Sequence, residues 1–335
     1  MSQFKISACC QLGEMVTNKK GVTEFKQYDD CKVGTITITS MAKLCGIDHR
    51  DDLTIGHVVA NKPKLQSKLI SKLKQNLQAL NNQIKRVSQY PDSLKAFRIT
   101  SNLLPLYTEP RFAPLYDSKI MSMIELSLSN TGKIAIDNSI RLSSHPSQFT
   151  TLSSDKDNVI DKSIIDLEHH VMIFKMLGMT PEDHGVVINI HANGKSFTLP
   201  ERAKHLFNWI SLENDEGKAG HKKCLMLCQK YDIRYVFDLH HYYCETGDRL
   251  DVNSDMMHDI LNTWGTQRPI FHLSQPRSVN GNHKDLCAHS DIIDDKELIE
   301  YTAPFLYYVG LDIEAKHKNV ASEKFYQDVQ KHIDF

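Results

Sequence analysis

Apolar residues gather in eight short runs along the chain. The runs are rich in Val, Ile, Phe and Tyr, and turn or helix signals bound each of them. They are continuous rather than alternating, which is typical of strands covered on both faces, as in a parallel sheet. We predict strands at residues 4–10, 97–100, 140–144, 186–190, 209–212, 234–239, 270–274 and 307–313.

Amphipathic helical stretches separate these runs. In the clearest, at about 64–90, leucines recur at spacings of three and four. Strand and helix alternate eight times, which predicts an α/β fold of the (β/α)8 TIM-barrel type, with a doubly wound open sheet as the alternative. The other helices are predicted at about 118–130, 158–178, 198–208, 219–231, 254–264, 295–305 and 322–333.

No repeat, low-complexity tract or linker divides the chain. We therefore predict a single domain over residues 1–335. Residues 11–63 follow the first strand without a strong strand or helix pattern. For this segment we therefore predict a loop-rich insertion with a short helix or a hairpin.

The composition excludes several classes of protein. Of 335 residues, 41% are hydrophobic and 24% are charged, which excludes a disordered chain, and no apolar stretch is long enough to span a bilayer. A formal net charge of −1 argues against a strongly cationic coat, but it allows a local basic patch. The eight cysteines are sparse and form no CxxC pair, and the first residues lack a secretory signal. We expect reduced thiols and a cytoplasmic protein with no membrane partner.

Histidine is the outlier of the composition, with 17 residues. In a barrel of this kind, the side chains that perform chemistry converge at the carboxyl ends of the strands. Any one His, Asp or Glu after a strand is more often a turn former or a helix cap. Here, however, residues of metal-binding type occur at six consecutive predicted strands. They are His145, His191, Glu213, Asp238, His241, His272, His289 and Glu314.

This set combines carboxylates with imidazoles and contains no thiolate. Such ligands suit Mn²⁺, Mg²⁺, Fe²⁺ or a non-structural Zn²⁺ better than a cysteine-based zinc site. One ion cannot use them all, so we predict two or three divalent ions, with a carboxylate such as Glu213 or Asp238 as a bridge. Several ions at strand ends suit displacement at phosphorus, and they equally suit a sugar isomerase. The spacing does not separate these two chemistries.

Six segments resemble the UV damage endonuclease family, which consists of TIM-barrel DNA repair nucleases. Each lies at a strand end and they occur in the order of the family, so together they are specific although each is short. The resemblance runs from Phe97 to Lys316 and rests on residues 97–105, 142–149, 212–215, 238–241, 272–274 and 313–316.

The resemblance implies a metal-dependent endonuclease that nicks duplex DNA on the 5′ side of UV photoproducts and other distorting lesions. The eight residues named above would be metal ligands, with Mn²⁺ as the expected ion and Zn²⁺ or Mg²⁺ as alternatives. Gln148 and Phe149 would probe the distorted duplex, and Lys316 would neutralise a phosphate. The catalytic group would comprise Lys316 and the central ligands Glu213, Asp238, His272 and Glu314.

Three positions depart from the family pattern. Ile270 stands where the family commonly has a lysine that is proposed to help bind metal. Glu109 stands in place of a histidine, and we expect it to be able to bind a hard cation. In place of the usual tyrosine near the lesion, the first strand offers Cys9, Cys10 and Gln11, so Gln11 is a candidate for lesion contact. The loss of the lysine favours a two-metal centre with a weak or absent third ion.

Two alternatives stay open. A sugar isomerase or epimerase on a similar barrel would show no affinity for DNA and gives no reason for the Gln148–Phe149 pair. A protein that binds damaged DNA but has lost catalysis is favoured by Ile270. For the nuclease we expect damaged double-stranded DNA as the partner, a monomeric state and no nucleotide cofactor.

Overall fold

Eight parallel strands form a closed barrel in the computed structural model, which describes residues 4–217 and 220–333. Around the barrel each strand pairs with its neighbour in sequence, and the first strand closes on the last. The predicted TIM barrel is confirmed, and each barrel strand overlaps a predicted run. The strands are β1 Ile6–Cys9, β4 Ala96–Ile99, β5 Arg141–Ser144, β6 Val187–His191, β7 Ile210–Glu213, β8 Arg234–Asp238, β9 Ile270–Leu273 and β10 Gly310–Ile313.

Helices surround the barrel and connect its strands. Their apolar faces, such as the leucine stripe of the longest helix, pack on the outer side of the strands in one continuous core. The α-helices are α1 Ile38–Leu44, α2 Ile55–Ala60, α3 Lys62–Val87, α4 Ser118–Asp137, α5 Asp157–Met176, α6 Pro181–His184, α7 Gly220–Tyr231, α8 Leu239–Thr246, α9 Asp255–Asn262, α10 His283–Cys287, α11 Lys296–Thr302 and α12 Lys318–Val329.

One predicted helix is wrong. Residues 198–208 form only the 3₁₀ helix Glu201–Leu206, not an α-helix. The segment is confined between Pro200 and the start of β7 at Ile210, and a 3₁₀ turn is the usual form of so short a connector. Residue 219, the first of another predicted helix, lies outside the described residues, as do residues 1–3, 218 and 334–335 of the predicted domain.

The segment after β1 contains a hairpin and two short helices. Strands β2 Gly13–Thr17 and β3 Thr23–Gln27 pair antiparallel, and α1 and α2 follow. The side chain of Asn319 anchors the hairpin, because it accepts a hydrogen bond from Gly13 N at 2.8 Å and donates to Gly13 O at 3.0 Å. A Cβ at Gly13 would lie 2.3 Å from Lys26 O, so this close approach requires glycine.

The parallel register sets the level of the inward-facing side chains. His191 pairs with Glu213, and Asp238 pairs with His272. Side chains alternate along a strand, so residues two positions apart share the barrel interior. The polar residues at the carboxyl ends therefore meet at one mouth of the barrel.

All eight cysteines lie within the described residues and are free thiols. None of the helices that the structure describes combines the length and apolarity needed to cross a membrane.

Candidate metal centre

Glu213 occupies the middle of the barrel mouth. It is the last residue of β7, and its side chain is 1% exposed. Its Oε2 atom lies 3.0 Å from Nε2 of His145, and its Oε1 atom lies 2.9 Å from Nδ1 of His272. Nδ2 of Asn189 donates a further hydrogen bond to Oε2. The two carboxylate oxygens thus face different imidazoles.

A second group of ligands lies on the β8–β10 side of the mouth. Nδ1 of His272 is 3.9 Å from Oδ2 of Asp238 and 3.3 Å from Oε1 of Glu314. Nη1 of Arg98 donates to the same oxygen of Glu314 and forms an ion pair with it. Both acidic side chains are largely buried, so water cannot fully solvate their charges.

The mouth contains three sets of side chains whose ligand atoms lie within 4.8 Å of one another. Glu213 belongs to two of the sets, and so does Asp238. Neighbouring sets therefore share a carboxylate, as they would if each set bound a cation. The sets are His145–His191–Glu213, Glu213–Asp238–His241 and Asp238–His272–Glu314.

Backbone carbonyls select the tautomer of two imidazoles. Nδ1 of His145 lies 2.8 Å from the carbonyl oxygen of Pro146, and Nδ1 of His241 lies 2.9 Å from that of Asn214. A carbonyl oxygen only accepts, so Nδ1 carries the hydrogen in both rings. Each ring therefore directs Nε2 toward the mouth as the nitrogen that can bind a metal.

The ionisable side chains in the mouth shift each other's pKa values. Burial by itself raises the pKa of the Glu213 carboxyl, but the nearby His272 and His191 hold it well below its ordinary value. Burial lowers the pKa of an imidazole, yet Glu213 and Glu314 raise that of His272 to about 9, and Asp238 and Glu213 raise that of His241 to about 10. The carboxylates stay ionised and attract positive charge to the mouth.

Among the candidate metal ligands of the mouth, two buried atoms lack hydrogen-bond partners. They are Oδ2 of Asp238 and Nδ1 of His191. A buried polar atom without a partner is costly, and native proteins rarely leave one. Imidazole nitrogens and carboxylate oxygens at these distances suit divalent ions such as Mn²⁺, Zn²⁺ or Mg²⁺. The residues present therefore fit a metal centre.

The structure places the remaining predicted ligands around this centre. His289 lies at its edge, with Nδ1 3.9 Å from Oε2 of Glu314. Glu109 is not in any of the three sets, because Arg111 binds both of its oxygens, at 2.8 and 3.1 Å. Its carboxylate lines a cleft together with Phe149 instead.

The predicted DNA contacts differ in exposure and partners. Gln148 and Phe149 are exposed in the loop after β5, and the Phe149 ring is 78% exposed. Gln11 is exposed in the loop after β1. Lys316 is half exposed, and its Nζ lies 3.1 Å from Oδ1 of Asp291, so its charge is already paired.

Ile270, which replaces the family lysine, lies at the opposite end of β9 from the mouth. It is 5% exposed and packs with Val187, Val236 and Trp264 in a small apolar cluster. An isoleucine side chain has no donor atom, so position 270 offers no ligand.

Sequence reasoning missed three polar residues that support the ligands. Asn189 binds Glu213, Arg98 binds Glu314, and Oδ2 of Asp312 lies 3.8 Å from Nε2 of His272. Asn189 precedes His191 by two positions on β6, and Asp312 precedes Glu314, the residue directly after β10, by two positions. Strand alternation could have found both, because positions i and i+2 share a face.

A further cluster lies on the flank of the barrel, in α5. Asp166, His169 and His170 share one face of the helix, with ligand atoms within 4.8 Å of one another. The hydroxyl of Thr150 donates to Oδ2 of Asp166 at 2.7 Å. Asp166 thereby fixes the loop that carries Phe149. The spacing of the three residues on a helix could have revealed this group.

Comparisons with known proteins match the chain to one family. The model of the family described as UV-endonuclease UvdE matches residues 31–334. The UV DNA damage endonuclease of Bacillus anthracis (strain A0248) is 27% identical over 333 residues, which cover 90% of each protein. That of Bacillus mycoides (strain KBAB4) is 27% identical over 323 residues, with 88% of each covered.

Solved structures share the fold. The crystal structure of SacUVDE aligns with a TM-score of 0.69 and 22% identity over 98% of both chains. Endonuclease IV from Thermus thermophilus aligns with a TM-score of 0.52 and 15% identity, over 76% of this chain and 93% of that one. The resemblance inferred from the six segments is confirmed, because the family model covers most of the chain. The chain belongs to the UV-endonuclease UvdE family of DNA repair endonucleases.

Proposed function

We propose that this protein is a metal-dependent endonuclease that nicks duplex DNA on the 5′ side of UV photoproducts and other distorting lesions. The observation that carries the proposal is the position of Glu213, whose two oxygens face separate imidazoles at the centre of the mouth. A carboxylate so placed is suited to bridge two cations. Divalent ions held there would activate water near neutral pH and offset the charge of the phosphate and of the leaving oxygen.

Each side chain of the mouth has a role in this proposal. His145, His191 and Glu213 would hold one ion, with Mn²⁺ as the expected metal. Asp238, His272, Glu314 and Glu213 would hold the other. His241 and His289 would lie at the outer positions of the centre.

The protein's own hydrogen bonds keep these ligands in place. Asn189 fixes the plane of the Glu213 carboxylate, and Arg98 keeps Glu314 ionised and oriented. Orientation by such supporting contacts is worth about 10- to 100-fold in metal affinity or activity. The ligands are therefore set in position before a phosphate arrives.

Recognition of the lesion rests on the exposed loop after β5. Gln148 would enter the gap of a distorted base pair, and the Phe149 ring would stack on an unpaired base. Lys316 would approach a phosphate once DNA displaces its contact with Asp291. Gln11, in the loop after β1, would contact the duplex beside the lesion.

The test is a plasmid nicking assay. The purified protein is incubated with UV-irradiated supercoiled plasmid and Mn²⁺, and we expect relaxed circles whose nicks lie 5′ to the photoproducts. EDTA should abolish the reaction, and unirradiated plasmid should stay supercoiled. Equal nicking of both plasmids would refute lesion specificity, and the absence of nicking with Mn²⁺, Mg²⁺ and Zn²⁺ would refute the activity.

A gel-shift assay on the same DNA separates the alternatives. Binding of irradiated DNA without any nicking would identify a damage-binding protein that has lost catalysis. The absence of both binding and nicking would favour a sugar isomerase or epimerase.

A further inference from the structure

Four aromatic side chains of the described residues are among the large apolar groups left exposed. Tyr307 and Tyr308 precede β10, at the amino end of the barrel. Phe149 and Phe197 follow β5 and β6, at the mouth. Phe197 is 59% exposed, and no role at the metal centre accounts for it.

The loop that carries Phe197 is joined to the loop that carries Phe149. Nδ2 of Asn193 donates to the carbonyl oxygen of Gln148 at 3.3 Å. Gly194 N donates to Oγ of Ser153 at 3.0 Å, and Ser196 N donates to the carbonyl oxygen of Ser153 at 2.7 Å. A Cβ at Gly194 would lie 2.1 Å from that carbonyl oxygen, so only glycine permits this approach. The two loops form one packed unit.

The segment is also held from its other side. Lys223 of α7 is 8% exposed, donates to the carbonyl oxygen of Gly194, and has its Nζ 5.3 Å from the centroid of the Phe197 ring. Leu199 is buried, and its N–H donates to the hydroxyl of Tyr231 at 3.0 Å. The backbone around Phe197 is thus held from both sides, while the Phe197 ring itself is exposed to solvent.

We propose that Phe197 is a second base-stacking position, which takes an unpaired base of the distorted duplex next to the one met by Phe149. The proposal rests on the proposed function, because it assumes that damaged DNA occupies the mouth. Lys195, two residues earlier, is exposed and can pair with a phosphate of the same strand. A rigid aromatic ring loses little conformational entropy on binding and stacks on any base.

The test compares variants at position 197 in binding to a duplex that carries one defined thymine dimer. Phe197→Ala and Phe197→Leu should raise Kd for this duplex about tenfold, since stacking on an aromatic ring is worth that much or more per base. Phe197→Tyr keeps the ring and should stay within about twofold. Fluorescence anisotropy in EDTA gives Kd, and nicking in Mn²⁺ gives kcat and KM, of which KM should carry the change.

Two controls make the result decisive. Tyr308→Ala removes an exposed ring from the opposite end of the barrel and should leave Kd unchanged. An undamaged duplex should respond less to Phe197→Ala than the dimer duplex does. If Phe197→Ala binds the dimer duplex as tightly as the wild type, or if Phe197→Leu matches Phe197→Tyr, stacking at this position is refuted. If the wild-type protein neither prefers nor nicks the dimer duplex, the proposed function fails and this inference fails with it.

Discussion

The two ends of the barrel interior hold buried charge of opposite kinds. At the mouth, the carboxylates of Glu213, Asp238 and Glu314 face imidazoles, and Oδ2 of Asp238 has no partner. At the base, the main charged group is the guanidinium of Arg141, at the start of β5. Its Nε and Nη1 donate to backbone carbonyl oxygens at 3.0 and 2.7 Å, and its centre lies 5.5 Å from the ring of Trp264.

The difference indicates which end of the barrel could bind a divalent ion. The Arg141 guanidinium at the base is already a cation, and its one partnerless atom, Nη2, is a donor that cannot bind a metal. A soluble cation would therefore gain nothing from this group. The carboxylates of the mouth outnumber the permanent cation beside them, Arg98, and rely on imidazoles whose protons a metal can displace. We therefore expect divalent ions to change the behaviour of the mouth and to leave the base unaffected.

The largest expected effect follows from Glu213→Gln. The amide keeps the volume of the side chain but cannot bridge two cations, so the nicking rate should fall about a thousandfold, in line with the several kcal/mol that metal-ion catalysis supplies. Single-turnover nicking of irradiated plasmid measures the loss, and circular dichroism checks the fold.

Glu245→Gln is the matched control, because Glu245 is also a largely buried glutamate paired with an imidazole, that of His221 at 2.9 Å, but belongs to none of the three candidate ligand sets of the mouth. It should keep activity within about twofold, as expected for a site that does not couple to the mouth. Near-normal turnover by Glu213→Gln would show that this residue was misassigned. The same reasoning applies to Glu314→Gln.

Ile270→Lys tests the base of the barrel. Position 270 is buried, and the cavity that Ile270 lines is already bordered by the cation of Arg141 beside the single carboxylate of Asp312, so an added ammonium group should lower the free energy of unfolding by roughly 4 kcal/mol. Urea denaturation measures this change, and elemental analysis should find no additional bound metal. Ile270→Met conserves volume and should cost less than about 1.5 kcal/mol. A stable Ile270→Lys protein with an extra ion would contradict the assignment of this cluster as purely structural.

Arg98→Met should destabilise the mouth by about 3 kcal/mol in EDTA, because it leaves the buried Glu314 carboxylate without its cation. Mn²⁺ should reduce this loss, since an ion at Glu314 supplies the missing positive charge. Arg86→Met removes an exposed pair with Asp30 and should cost less than about 1 kcal/mol. Equal losses for the two variants, with or without Mn²⁺, would argue against the role of Arg98.

His169 extends the comparison to the flank of the barrel, where burial outweighs the effect of the nearby Asp166 carboxylate on the pKa of an imidazole. Burial lowers the pKa of His169 to about 3 and that of His170 to about 4. The unfolded chain binds these protons near pH 6.5, so each imidazole lowers stability as the pH falls below that value, by about 2 kcal/mol between pH 7 and pH 5. His169→Gln should make the free energy of unfolding less sensitive to pH in this window. An unchanged pH dependence in urea denaturation would contradict the lowered pKa.

Much of the fold could be predicted because its signals are local. Continuous apolar runs predicted all eight barrel strands, and most of the acidic residues and histidines at their ends are the candidate ligands that the structure brings together at the mouth. The 3₁₀ helix Glu201–Leu206 was wrongly predicted as an α-helix, since its form depends on the short distance between its anchored ends. The contact of Glu109 with Arg111 was also missed, because only coordinates show which partner an acidic side chain selects.

The order of strands and helices, and the types of residue at the strand ends, are properties of the sequence alone, because periodicity and turn residues act over a few positions. The pairing of one carboxylate with two imidazoles is a property of the tertiary structure. His145 and Glu213 are separated by 68 residues, and His272 and Glu213 by 59, yet their side chains lie in contact. Closure of the barrel and the register of its strands bring these atoms together. No local sequence pattern specifies the distance between side chains that are so far apart in the sequence.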